Sequence, residues 1–496
     1  MTPHILAIDV GTQSVRAAVV SAAGAILGIA QCKHEVDTPH PNWAQQRPDQ
    51  WWDEACRAIR QVLDETATVP RSIAAVAACG QMHGPVGVDD RGRVTTASVQ
   101  LWCDKRCQAQ CERLRREADE THLASLAANP INPAWTGLKV RWHRDNEPAV
   151  YDRTRWFLVP KDFINFRLTG VAAADPSEAS GSFLWDCRTD AYSEDLAAAV
   201  GVDLGRFAPV HPSHEVVGTV TAEAAGQTGL ASGTPVVAGG GDFPVSMLGF
   251  GIVGEGTTAD VTGTSTLLAS NSARPLIHPA VQNLRHVVDG WIPFTILDCG
   301  GLSMKWCRDL VASLCGRDVS FEAVIEMAAR APAGSDGLLF YPYMLGERRR
   351  ENTAARGGFA GLALGHGGPH LVRAVMEGVA LAVGRDLGIF RSLGVGVDRV
   401  YCVGGGARNE LWNQIKADVL GVPLTLSDEP EAGLKGAALL GAAGVGLVDD
   451  PAAAARDRRT PGKTVRPRPE TREAYAAALR EFVRLYDHML GYWPAG

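Results

Sequence analysis

Apolar residues near the start of the chain fall into three short runs, ILAID (5–9), VRAAVV (15–20) and AILGIAQ (25–31), with turns at Gly11 and Gly24 between them. Runs of this length bounded by glycine predict strands. The period then changes. In WWDEACRAIRQVLDET (51–66), Trp52, Ala55, Ile59, Val62 and Leu63 recur at helical spacing, which predicts an amphipathic helix. IAAVAACG (73–80) and TPVVAGGG (234–241) are continuous apolar runs, as in parallel strands buried on both faces.

The second half repeats this plan. TTADVTGTSTLLAS (257–270) echoes LAIDVGTQSVRAAVV (6–20) as strand, Asp, Val, Gly-Thr turn and strand. AVMEGVALAVGRDLGIF (374–390) has a helical pattern, and RVYCVGGG (399–406) reads as a strand entering a glycine turn. NELWNQIKADVLG (409–421) predicts a helix, PLTLS (423–427) a strand and KGAALLGAAGVG (435–446) a closing helix. Strand and helix alternate throughout, so the fold class is α/β. At 496 residues the chain exceeds what one core usually supports. Two domains of similar topology are expected, residues 1–252 and 253–496, with the boundary inside 250–257. Ligands favour such domain interfaces.

Composition narrows the partners. A hydrophobic content of 46% and a charged content of 21% are ordinary for a globular protein, and a net charge of −7 argues against nucleic acid. The first residues, MTPHILAIDVGTQS, lack a basic segment followed by a long apolar one, so secretion is not expected. AALLGAAGVGLV (437–448) is too short and glycine-rich to cross a membrane. A cytoplasmic location is expected, without a membrane partner; a homodimer is the default oligomer. Eleven cysteines fit reduced thiols. Cys103, Cys107 and Cys111 repeat every four residues and on a helix would share a face, but no fourth zinc ligand accompanies them, so they read as structural.

Candidate chemistry gathers at glycine turns after strands. A Gly followed by Thr or Ser offers backbone N–H groups and a hydroxyl to one point, which suits anionic oxygens. DVGTQS and DVTGTST stand at matching places in the two halves, where they can hold one phosphate chain from both sides, and CVGGGARN (402–409) adds a third loop. Asp9, beside Thr12 and Arg16, reads as a carboxylate for magnesium held through water. Asp242, after Gly239–Gly241, reads either as a helix N-cap or as a base on a cleft floor. His83 is a core hydrogen-bonder or a ligand contact, and Trp51–Trp52 reads as core. PGKT (461–464) lacks the first glycine of a Walker loop, having Asp457 there. GERRRENTAARGG (346–358) reads as a solvated loop.

Taken together, these segments resemble the FGGY carbohydrate kinases along nearly the whole chain, closest to the xylulokinase branch. The matching stretches include AIDVGTQSVRAAVV, CGQMHGPVGVDDRGRV, LWCDKR, LKVRWHRDNEP, VPKDFINFRLTG, GGGDFPVSMLGFG, DVTGTST, GGFAGLALGHGGPHLVRAVMEG and VGGGARNELWNQIKADVLG. The resemblance implies two actin-like (ribonuclease H-like) domains flanking a central cleft, and transfer of the ATP γ-phosphoryl group to a sugar hydroxyl with Mg2+. It makes Asp242 the catalytic base. It puts Met82, His83, Trp102, Asp104 and Phe243 on the sugar side. Thr12, Gln13, Ser14 and Arg16 match one phosphate loop, and Gly263, Thr264 and Ser265 the other. Gly301, Lys305, Gly405, Gly406 and Asn409 fall on nucleotide positions. Two positions depart from the branch, Phe243 and Cys103, each where Asn is common. The expected acceptor is a small ketose such as D-xylulose, with ribulose, a tetritol or a hexulose as alternatives; an actin-like ATPase without a sugar and a weakened sugar sensor are the competing classes.

Overall fold

A computed structural model describes residues 2–347, 354–427, 429–459 and 462–493. In the first sheet the strands are β1 (His4–Val10), β2 (Ser14–Ser21), β3 (Ile26–Lys33), β4 (Ile73–Gly80), β5 (Val216–Thr219) and β6 (Pro235–Gly241), in the spatial order 5-6-4-1-2-3. β1 to β3 form an antiparallel meander, whereas β4 and β6 run parallel to β1 and β4 respectively. The three apolar runs of the opening segment are that meander, and the Gly24 turn carries φ +89°.

The second sheet repeats the arrangement. Its strands are β7 (Thr258–Thr262), β8 (Thr266–Ser270), β9 (Gln282–Arg285), β10 (Trp291–Leu297), β11 (Val400–Val403), β12 (Leu424–Leu426) and β13 (Thr464–Val465), ordered 9-10-8-7-11-12-13. Hairpin β7–β8 corresponds to β1–β2, and β11 and β12 add in parallel beside β7. The echo between residues 6–20 and 257–270 is thus a repeat of topology. Thr464 of the PGKT stretch sits in edge strand β13, where a Walker loop would open a helix; Pro461 and, in the basic loop, residues 348–353 lie outside the described residues.

Helices cover both sheets. Those the site uses are α1 (Pro48–Glu65), α2 (Pro160–Thr169), α3 (Asp242–Gly249), α4 (Gly300–Cys315), α5 (Gly368–Ser392), α6 (Glu410–Leu420) and α7 (Ala432–Gly444). Trp51 and Trp52 of α1 are buried in the core above the first sheet. The chain crosses over at α7. Leu434, Ala437, Ala438 and Leu440, from the second half, pack with Ile5, Ala7, Val20, Ala75 and Ala77 of the first sheet. Small residues allow the approach: a Cβ at Gly436 would lie 2.0 Å from the Val245 carbonyl oxygen of α3. Among the described residues, no helix is long and apolar enough to cross a membrane.

Candidate active site

Three parallel strands of the first sheet end at one edge, the end at which open α/β sheets bind ligands. β1 ends at Asp9–Val10 and turns through Gly11–Gln13, β4 continues as Gln81–Met82–His83, and β6 runs into Asp242. The register sets Asp9 beside Cys79 and Cys79 beside Gly240. Asp9 and the start of α3 are therefore about two strand spacings, or about 10 Å, apart at the backbone.

Asp242 stands in the first turn of α3, where the helix dipole favours a negative charge. Gly241 holds the cap position, so the N-cap alternative for Asp242 does not hold. Its Oδ1 accepts from the Phe243 N–H at 2.7 Å. The side chain is enclosed by protein yet partly accessible. Burial pushes its pKa up to about 7, the Asp9 charge adds to the rise, and the Phe243 N–H opposes it. The glycines before it are required by contact. A Cβ at Gly239, which has φ +74°, would lie 1.9 Å from the Ala78 carbonyl oxygen, and one at Gly241 would strike Met82.

Asp9 faces Arg16 directly across the β1–β2 hairpin, and the two form an ion pair. Arg16 Nη1 also reaches Glu431, at the start of α7, at 2.6 Å. One guanidinium thus ties the first phosphate loop to the second half of the chain. Thr12 donates to Gln81 Oε1 and accepts from Trp102 Nε1, both at 3.2 Å. Gln46 Nε2 supports the loop from below through the Thr12 carbonyl at 2.8 Å. Gln13 is exposed, whereas the Ser14 hydroxyl is buried against Gln31.

On the expected sugar side, Met82 packs over Gly241 and His83 lies beside it. His83 has φ 71°, a costly backbone state for a residue with a side chain. Burial holds its imidazole down to about 3, with Lys139 adding to the shift, so the ring is neutral. Its Nδ1 is buried without a hydrogen-bond partner. Trp102 remains 38% exposed while touching the first loop through Thr12. A cavity of about 50 Å³ at this point is lined by Trp102, Asp104, Asn132 and, from the second half, Asp298 and Leu345.

The second and third loops adjoin. Gly301 N donates to the Gly263 carbonyl and Leu302 N to that of Thr264, both at 3.1 Å, so α4 begins on the second loop. A Cβ at Gly406 would lie 2.6 Å from Thr262 Cγ2, which brings the third loop against the same strand end. Gly263, Thr264 and Gly405 are exposed there, with Ser265 half-buried. Asn409 caps α6, its Oδ1 accepting from Trp412 N at 3.0 Å.

Four residues singled out in the sequence have partners that the sequence did not show. Asp104 is fully buried, and its carboxylate is held by Arg106 and the Ala44 N–H, so it anchors the Trp102 loop at the edge of that cavity. Phe243, half-buried, turns its ring edge-on to Phe294 of β10, centroids 5.3 Å apart, and so joins the two halves. Lys305 is exposed and pairs with Asp309 along its own helix at 2.8 Å. Cys103 lies ahead of the helix Gln108–Glu117, and Cys107 and Cys111 are buried in the core, in keeping with structural thiols.

Other participants escaped the sequence. Gln46, Gln81 and Glu431 brace the first loop, and Lys139 Nζ holds the Leu101 carbonyl at 2.6 Å. Gln81, adjoining Met82 in GQMH, was the one with a local signal. Among the described residues, no group of three or more His, Cys, Asp or Glu side chains is arranged to hold a metal. Asp9 alone still fits magnesium, which keeps several waters and takes one or two carboxylates together with substrate phosphates.

Comparison with known proteins finds one family over both halves of the chain. The model of the FGGY family of carbohydrate kinases, N-terminal domain, matches residues 4–249, and that of the C-terminal domain matches 259–445. The chain is 31% identical to a xylulose kinase of Escherichia coli (strain K12) over 84% of its own length and 85% of the relative's. It is 27% identical to a xylulose kinase of Bacillus subtilis (strain 168) over 98% and 97%. The crystal structure of xylulose kinase from Rhodospirillum rubrum superposes with a TM-score of 0.92 at 31% identity, covering 99% of each chain.

Proposed function

The chain belongs to the FGGY family of carbohydrate kinases, and from that premise we propose that it transfers the γ-phosphoryl group of ATP to a hydroxyl of D-xylulose in the cytoplasm. The observation that carries the site assignment is Asp242. It is an enclosed yet accessible carboxyl, titrating near neutrality, at the convergence of the first phosphate loop and the Met82–His83 segment.

Phosphoryl transfer asks the protein mainly for alignment and charge neutralisation. Asp242 accepts the proton of the attacking hydroxyl. Met82, His83 and Trp102 contact the sugar, the neutral imidazole serving as a hydrogen-bonding group without a charge to repel magnesium. The Thr12–Gln13 turn and the Gly263–Ser265 turn direct N–H groups at the phosphates from the two sheets, with Arg16, held between Asp9 and Glu431, fixing the first turn in place. Gly301, Gly405 and Gly406 leave bare backbone for the nucleotide, and Asn409 fixes the helix behind it. Magnesium, held at Asp9 through water, supplies charge neutralisation on the transferred group when bound. With Phe243 turned onto Phe294, its departure from the branch gives no ground to prefer another acceptor.

The test is ADP release with ATP and magnesium over xylulose, ribulose, tetritols and hexuloses. Xylulose is expected to give the highest kcat/KM. ATP turnover equal with and without any sugar overturns the reading.

A further inference from the structure

Behind the base lies a buried charged cluster that the proposed reaction does not use. Lys161, Asp162, Asp175, Ser177 and Ser213 are at most 2% exposed. Lys161 Nζ lies 2.5 Å from Asp162 Oδ1 and 2.8 Å from Asp175 Oδ1, and donates to the Ala238 carbonyl at 3.0 Å. Asn165 Nδ2 donates to that carbonyl at 2.9 Å. Asp175 Oδ2 accepts from Ser177 Oγ at 2.6 Å and from Ser213 Oγ at 3.2 Å. Ser177 Oγ in turn accepts from the Gly241 N–H at 2.9 Å.

These contacts grip β6 where its ladder with β4 slips, between Val237 and Gly240. A bulge of this kind re-aims the chain beside a site. It also takes backbone groups out of the regular ladder, and buried ones need partners. Side chains of α2 and of the segment 175–180 supply them. The Gly241 N–H is the last group so held before Asp242. Burying a lysine with two carboxylates is costly compared with apolar packing, whereas a directed set of hydrogen bonds fixes one geometry.

We infer that Ser177, oriented by the Asp175–Lys161 pair, is a positioning residue that holds the Gly241 N–H and so aims the Asp242 carboxyl at the acceptor hydroxyl. The inference rests on Asp242 being the base. A displacement of about 1 Å at a reacting group can cost about 10²-fold in rate.

The experiment compares Ser177→Ala, Ser177→Thr and Ser213→Ala in the full chain by sugar-dependent ADP release. Ser177→Ala should lower kcat about 10- to 100-fold with both KM values within about threefold, because aim is lost while binding is kept. Ser177→Thr keeps the hydroxyl and should restore most of kcat. Ser213→Ala loosens the same cluster without touching Gly241 and should leave kcat within about twofold. Equal losses in Ser177→Ala and Ser213→Ala, or a Ser177→Ala variant with normal kcat, overturn the inference. If Ser177→Ala does not fold, Ser177→Cys, a weaker acceptor of similar size, replaces it, with an intermediate kcat expected and an unchanged one overturning the inference. The reading of Asp242 stands or falls separately, on whether Asp242→Asn abolishes turnover in this assay.

Discussion

At neutral pH the Asp242 carboxyl is near its midpoint, because enclosure and the Asp9 charge disfavour its ionised form. Only that form accepts a proton. Activity, as kcat/KM for the sugar, should therefore rise with pH to a half-maximum near 7, measured at saturating ATP and magnesium. Asp242→Asn should lower turnover about 10²- to 10⁴-fold while calorimetry shows ATP binding unchanged. The same shift has a cost in stability. A carboxyl whose folded pKa is raised binds its proton more tightly in the folded state, so its contribution is present at low pH and is lost as pH rises through about 7. Asp242→Asn should accordingly melt higher than the wild type at pH 8, with the difference gone near pH 4. An enclosed carboxyl that ionises at neutral pH weakens the fold that holds it.

At the scale of elements, the strands were readable because apolar runs, glycine turns and the repeated Asp-Val turn all pointed the same way. The two Gly-Thr turns were readable as turns because each follows an Asp-Val strand end and leads into an antiparallel partner. The partners of α7 were not. Gly433, Gly436, Gly441 and Gly444 give that helix little directional pattern, so the sequence marks a helix without saying which sheet receives it. Nor could it show that Asp104 is consumed by Arg106, or that Ser177 meets Gly241, 64 residues away. The close approach of α7 to α3 is testable. Gly436→Ala would put a methyl 2.0 Å from the Val245 carbonyl, a rigid backbone atom, and should cost about 1–3 kcal/mol, read as a lower denaturation midpoint. Since α3 begins with Asp242, kcat should fall with it.

For the whole molecule, the two halves are interleaved rather than placed side by side. Residues 1–252 contain every strand of the first sheet but not α7, which covers one of its faces. Expressed alone, that fragment should leave Ile5, Ala7, Val20, Ala75 and Ala77 without their cover and should aggregate, as size-exclusion chromatography will show. Arg16–Glu431 and Phe243–Phe294 are further links between the halves beside the site, one polar and one aromatic.

The repeat also sets a limit on itself. Asp260 occupies in β7 the place Asp9 holds in β1, yet it is fully buried and bound by Lys416 Nζ at 2.5 Å, with Thr262 Oγ1 at 2.6 Å on its other oxygen. An internal ammonium has retired the twin acid to a scaffold role. A fold built twice thus holds its two acids differently: Asp9 is joined through Arg16 to the second half of the chain, whereas Asp260 is locked inside its own half by Lys416.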